Sequence, residues 1–222
     1  MICPVPKHRV FIISERRFVM EQNQKKRPYI KAITRIAILS AVATVLMALK
    51  IPLWFAPSFY KIDLSEAVVL IGAFALGPAA GVVIELLKVL LNFLIDGTVT
   101  AGIGEFSNFI MGCSFFLPAA IIYRFKKSMF NAIIGMIVGI VSLTVVSSLL
   151  NYYLMLPLYA NVFGMPMETL IGMGTKINPS ITDLRSFILI AVVPFNLLKG
   201  LLSSIVTFLL YKRISPILHV SD

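Results

Sequence analysis

The stretch Gly72-Ala-Phe-Ala-Leu-Gly-Pro-Ala-Ala-Gly81 decides how this chain folds, because it joins two apolar runs, Leu64 to Leu76 and Ala79 to Ile95. Gly77-Pro78 either reverses the chain or kinks one long helix, since proline inside a membrane helix is tolerated. Four more apolar runs fall at about Ile33 to Leu53, Phe106 to Tyr123, Ala132 to Leu156 and Leu184 to Tyr211. Basic residues separate the two alternatives, because lysine and arginine concentrate in cytoplasmic segments. With a turn, and with the N-terminus inside, the cytoplasmic side holds Lys7, Arg9, Arg16, Arg17, Lys25, Lys26, Arg27, Lys31, Arg124, Lys126, Lys127, Lys212 and Arg213. Outside lie Lys50, Lys61, Lys176 and Arg185, a ratio of 13 to 4. Without the turn the later segments change sides and the ratio falls to 10 to 7. The expected fold is an all-α integral membrane protein of six transmembrane helices, with both termini cytoplasmic.

Composition agrees with a bilayer as solvent. The 222 residues are 59% hydrophobic and 14% charged, with mean hydropathy +0.93; an ordinary soluble domain is about half apolar and a quarter charged. At about 20 residues per span, six spans and their loops leave no room for a separate soluble catalytic domain. The reading divides into a basic N-terminal segment, 1–31, a six-helix membrane domain, 32–213, and a short cytoplasmic tail, 214–222. The net charge of +10 is no nucleic-acid signal, since eight basic residues precede the first span, where orientation and anionic lipid account for them. No cleavable signal peptide is evident: the short apolar stretch Val10 to Ile13 is far below the needed length. Met20 is a second candidate start, which would place residues 1–19 outside the native protein. Cys3 and Cys113 form no disulfide framework, and His8 and His219 stand near opposite ends of the chain, so no metal site is expected.

Polar residues inside apolar runs need partners or a cavity, because a charge at the centre of a spanning helix costs about 2.5 to 3.5 kcal/mol. Glu85 and Lys88 are three apart, with Asn92 four further on, so all share one helical face. A structural ion pair is the first reading, and a proton or ion relay the second. Glu105 and Asn108 share the same spacing at the start of the fourth run, where they cap that helix or face a cavity. Asn196 and Lys199 follow Pro194 with no acid within helical reach, and Asn151 precedes Tyr152-Tyr153. These three either bind a planar heterocycle by its edge or hold helices together. The two longest connections, about Lys50 to Asp63 and about Pro157 to Asp183, fall outside in this topology. The first, containing Trp54, Phe55, Phe59 and Tyr60, either covers a flat ligand or joins an interfacial aromatic belt. Ala37 and Ala41 in the first run, with Ser40, Thr44 and Ala48 on a neighbouring strip, permit close helix approach.

Catalytic motifs are absent. Gly97 to Gly102 has the first interval of a P-loop, but Ile103 stands where its lysine belongs; neither His-Glu-x-x-His nor Gly-x-Ser-x-Gly occurs. No catalytic residue is assigned, and an enzyme is not expected.

The motifs Lys61-Ile-Asp-Leu-Ser-Glu66, Gly72 to Gly81, Ile84-Glu-Leu-Leu-Lys88 and Gly102-x-Gly104-Glu105-x-x-Asn108-Phe109 together resemble the substrate-binding S-components of energy-coupling factor (ECF) vitamin transporters. Asn151-Tyr-Tyr and Val193-Pro-Phe-Asn-Leu-Leu-Lys-Gly200 are similar to the riboflavin-specific branch. The likeness runs from about residue 30 to 213. It implies a six-helix, multi-pass protein of a prokaryotic cell membrane. Such a protein captures riboflavin outside and docks on a membrane T-component bound to two ABC ATPases, with no cofactor of its own. It moves Asn151, Asn196 and Lys199 to the ligand reading, with Phe59 and Tyr60 closing over the ring or ribityl chain and Asn108 and Glu105 lining the wall. Ala37 and Ala41 become docking positions. FMN or another vitamin, an ion-coupled carrier using Glu85 and Lys88, and, more remotely, an intramembrane enzyme stay open as alternatives. Neither the segment before residue 20 nor the loop around 163–181 receives a role.

Overall fold

A computed structural model describes residues 29–53, 60–98, 102–162, 164 and 166–219. Helix α1, Tyr29–Ala48, leads into a two-residue strand β1, Ile51–Pro52, which pairs antiparallel with β2, Lys61–Ile62, Ile51 opposite Ile62. There follow α2, Ser65–Leu76, α3, Pro78–Asp96, α4, Ile103–Phe125, and α5, Met129–Leu150. A π-helical turn, Asn151–Met155, carries α5 into α6, Leu156–Val162; α7, Met167–Thr175, and the short α8, Leu184–Phe187, come next. A second π turn, Ile188–Val192, opens α9, Val193–His219. Among the described residues five helical runs are long and apolar enough to cross a membrane: Tyr29–Ala48, Pro78–Asp96, Ile103–Phe125, Met129–Ala160 and Leu184–Tyr211.

Helix α2 is different. Its 12 residues reach about 18 Å at 1.5 Å per residue, well short of a hydrocarbon core about 30 Å thick. It is apolar all round and Ser65 to Phe74 are all buried, as befits a helix enclosed by others. Its backbone ends at Gly77, whose φ of 102° suits a residue without Cβ, and Pro78 opens α3, where a missing N–H costs nothing. Past this junction α3 folds back along α2: a Cβ on Gly72 would stand 2.5 Å from Ile84 Cδ1, and one on Gly81 2.7 Å from Ala73 Cβ. Gly77-Pro78 therefore reverses the chain.

The bundle closes around Val69, Leu70, Ile84, Phe115, Phe116 and Ala119. Helices α4 and α5 approach most closely at glycines, where a Cβ on Gly135 or Gly139 would stand 2.7 Å from Ala119 O or 2.4 Å from Phe115 O. The outward faces carry Val42, Val45, Leu94, Ile137, Val141, Leu201 and Leu209, all exposed. Such a continuous apolar surface fits lipid and would not suit water. On α1 the inward face is Ser40, Ala43, Thr44 and Met47, whereas Ala37, Ala41 and Ala48 lie exposed.

Both long connections meet at one end of the bundle. The second contains α7, and Leu170 and Ile181 pack with Leu156, Phe187 and Val192 into a small apolar cluster that Tyr60 of the first connection joins. Thr175 Oγ1 donates to Ile181 O across 2.6 Å. Asp183 caps α8 by accepting from Ser186 N, and Ser186 Oγ accepts in return from Asp183 N. The segment around 163–181 is thus a packed cap in its described part, with its own short helix.

Candidate ligand-binding site

Beneath that cap lies a cavity of about 730 Å³, inside the range of small-molecule sites, about 300–1,000 Å³. Six of the residues singled out in the sequence line it together: Tyr60, Glu105, Asn108, Asn151, Asn196 and Lys199. They come from the first connection, the start of α4, the π turn after α5, and α9. Phe59 lies outside the described residues. Ala37 and Ala41 are away from the cavity on the exposed face of α1.

Asn151 begins the π turn that follows α5. Its Nδ2 donates to Ser147 O at 2.9 Å, and its Oδ1 accepts from Tyr60 Oη at 2.7 Å. Nδ2 also donates to Ser147 Oγ at 3.3 Å, so both its hydrogens are engaged, whereas Oδ1 has capacity for one more bond. Burial, reinforced by Tyr159, raises the pKa of the Tyr60 phenol, which keeps it a neutral donor. Asn196, one turn past the second π turn, is fixed by an Nδ2 bond to Val192 O at 2.8 Å. Thr98 Oγ1 donates to Glu105 Oε2 at 3.2 Å at the cavity wall. A π turn adds a residue to a helix and swings the side chains that follow it, and such turns concentrate at functional positions.

Charged groups lie at the buried end, where Asp63, Glu66 and Lys199 line the cavity and Glu85 and Lys88 stand behind them. Lys88, only 1% exposed, places Nζ 2.7 Å from Glu85 Oε2 and 2.9 Å from Glu66 Oε1. Glu85 and Lys88, three apart on α3, meet in an ion pair that Glu66 of α2 joins. Lys199, which has no acid on its own helix, meets Asp63 Oδ2 at 3.4 Å and Glu66 Oε1 at 3.8 Å. The absence of a nearby acid in sequence is thus made good by residues more than 130 positions away. Asp63 in turn accepts from the amide and hydroxyl of Ser65. Burial alone would raise the Asp63 carboxyl, but Lys199, then Lys88, and the Ser65 bonds hold it below the usual aspartate value. Gly112 of α4 makes room for this cluster, since a Cβ there would stand 2.3 Å from Glu85 Oε1.

Sequence reasoning gave no role to Asp63, Glu66 or Ser147. A signal for the first two existed: Lys88 and Lys199 lie in apolar runs that contain one acid between them, Glu85, so further buried acids had to be found. Asn92, placed on the Glu85 face by its spacing, also lines the cavity, is buried, and has an Oδ1 without a hydrogen-bond partner. At the open end Lys50 Nζ and Asp96 Oδ2 pair at 2.6 Å. The cavity offers amides, a phenol, a lysine and carboxylates around an apolar wall that includes Met155, Leu156 and Phe195. Such a site can hold a flat, uncharged molecule by its faces and read its edge.

Comparison with known proteins gives three consistent results. The family model described as "ECF transporter, substrate-specific component" matches residues 31–211. The chain is 36% identical over 203 residues to the riboflavin transporter RibU of Staphylococcus aureus, covering 91% of this chain and 96% of that protein. It is 29% identical over 190 residues to the riboflavin transporter FmnP of Bacillus subtilis, covering 84% and 93%. A solved structure described as "Structure and mechanism of the S component of a bacterial ECF transporter" superposes with a TM-score of 0.66 at 36% identity, covering 85% of this chain and 98% of that one.

Proposed function

The chain belongs to the substrate-specific components of ECF transporters, and from that premise we propose that it captures riboflavin in the cavity under the cap and delivers it inward with an ATP-hydrolysing partner module. It is a multi-pass protein of the cell membrane. The observation that carries the proposal is the convergence of Tyr60, Asn151, Asn196 and Lys199 on one cavity from three separate parts of the chain, the first connection, the π turn after α5 and α9.

Riboflavin is a flat tricyclic ring with an apolar dimethylbenzene end, a uracil-like edge of carbonyl acceptors and one N–H, and a hydroxylated ribityl chain. Between them Asn151, by its Oδ1, and Asn196, by its Nδ2 and Oδ1, can serve both donor and acceptor groups of that edge, and Lys199 donates to a carbonyl or ring nitrogen. Met155, Leu156 and Phe195 supply apolar contact. Burial of the ring drives affinity, and the edge contacts supply specificity, because a ligand lacking those groups leaves buried polar atoms unpaired. Tyr60 and Phe59 close over the ligand, with Glu105 and Asn108 along the wall.

In this proposal α2 is counted as a sixth, short span. Its length is tolerated because it is enclosed by protein, and both termini are cytoplasmic as the basic residues indicate. The exposed small residues Ala37 and Ala41 meet the membrane T-component, whose two ABC ATPases drive release. Glu85 and Lys88, with Glu66, are the structural ion pair that ties α2 to α3.

One observation favours a second reading, in which the protein is an ion-coupled carrier. The buried charges stand on α2, α3 and α9 and in the loop before α2, and a relay needs groups on several elements. Reconstitution separates the two. The S-component reading expects no riboflavin uptake by liposomes holding this protein alone and ATP-dependent uptake when T-component and ATPases are added. Uptake driven by an ion gradient without them would support the carrier.

A further inference from the structure

The charges around the cavity point to a selection that the ring contacts cannot make. At its buried end stand Asp63 and Glu66 against Lys199; toward its opening stand Asp96 and Glu105 against Lys50 and Lys61. Carboxylates therefore outnumber lysines by one, and Glu85 and Lys88 behind the wall cancel. The loop segments 54–59 and 99–101 contribute no charged side chain to this tally.

A phosphate monoester carries close to two negative charges near neutral pH and is too costly to bury beside two carboxylates, so a phosphorylated flavin has to place it at the opening. There Lys50 and Lys61 line the cavity, and Asp96 holds Lys50 at 2.6 Å with both side chains 36% exposed. A pair so exposed contributes little to the fold. Its electrostatic effect on an incoming anion is larger, because it turns a cationic rim into a neutral one.

We propose that Asp96 is a specificity-determining residue, which by holding Lys50 makes the cavity prefer uncharged riboflavin to its phosphorylated form. The inference rests on the flavin reading above and adds to it the charge class of the substrate.

The test is titration of the full chain in detergent with riboflavin and with FMN, for wild type and Asp96→Asn. Asp96→Asn should lower the ratio of the FMN Kd to the riboflavin Kd by about tenfold or more, the scale of one charge-assisted hydrogen bond. Adding Lys50→Met should cancel the gain. A second measurement needs no variant. Wild-type affinity for FMN should rise between about 20 mM and about 300 mM salt as repulsion is screened, with riboflavin unchanged. Riboflavin binding with an unaltered ratio in Asp96→Asn, or FMN binding that weakens with salt, overturns this inference alone. Wild-type protein that binds no riboflavin overturns the flavin reading and this inference with it.

Discussion

Tyr60 donates its hydroxyl to Asn151 Oδ1 across 2.7 Å although 91 residues separate them. One bond thus joins the first long connection to the π turn at the end of α5, in the lining of the cavity. Tyr60 also packs on Phe195, with ring centroids 5.0 Å apart, and so reaches α9. Tyr60→Phe keeps the ring and removes the bond. It should weaken riboflavin binding by about two- to tenfold, the scale of one neutral hydrogen bond, with thermal stability little changed. A fluorescence titration of the variant checks this, and unchanged affinity would make Tyr60 a packing residue only.

Asn196→Leu and Lys199→Met each remove a proposed edge contact while keeping side-chain volume. Each should weaken riboflavin binding by about tenfold or more and leave an intact bundle by circular dichroism. Unaltered affinity in both would take these residues out of the site.

Lys88 tests the charge cluster behind the cavity. It is 1% exposed and sits between Glu66 and Glu85, so Lys88→Met takes the paired cation from Glu85 and leaves Glu66 with Lys199 at 3.8 Å. Breaking such a pair from one side costs about 3–5 kcal/mol. The melting temperature of the purified protein should fall sharply, and Glu66→Gln with Glu85→Gln on the same background should restore much of it. A melting temperature unaffected by Lys88→Met would show that the cluster does not tie α2 to α3.

Ala37 and Ala41 make a different prediction, because they lie on the exposed face of α1, away from the cavity. Ala37→Trp and Ala41→Trp should leave riboflavin affinity within about twofold, since surface changes away from a site are near neutral. They should abolish uptake by the complete transporter. Uptake at the wild-type rate would contradict the docking role.

The chain's own chemistry made some of this legible and hid the rest for a physical reason. Gly77-Pro78 announced a reversal, since glycine supplies the positive φ and proline the first turn of α3. Glu85 and Lys88 could be paired because a helix brings residues three apart together. Asn151, Asn196 and Lys199 stood out as polar groups in apolar runs, and the fold brings all three to one cavity. Long-range partners were not legible: Asp63 meets Lys199, and Tyr60 meets Asn151, only after four or more elements have packed. The π turns that set Asn151 and Asn196 leave no mark in spacing, whereas the brevity of α2 is already visible in the run Leu64 to Leu76, well short of a full span of about 20 residues. Within the connection around 163–181, α7 has too few turns to announce itself, and its packing on Phe187 comes from tertiary contact.

The most direct test of the central claim is an equilibrium titration of the purified, flavin-free protein with riboflavin, read by quenching of flavin fluorescence, with thiamine and biotin as competitors. The account predicts saturable quenching at one site per chain that neither competitor displaces. No quenching by a folded sample, or ready displacement by thiamine or biotin, would contradict it.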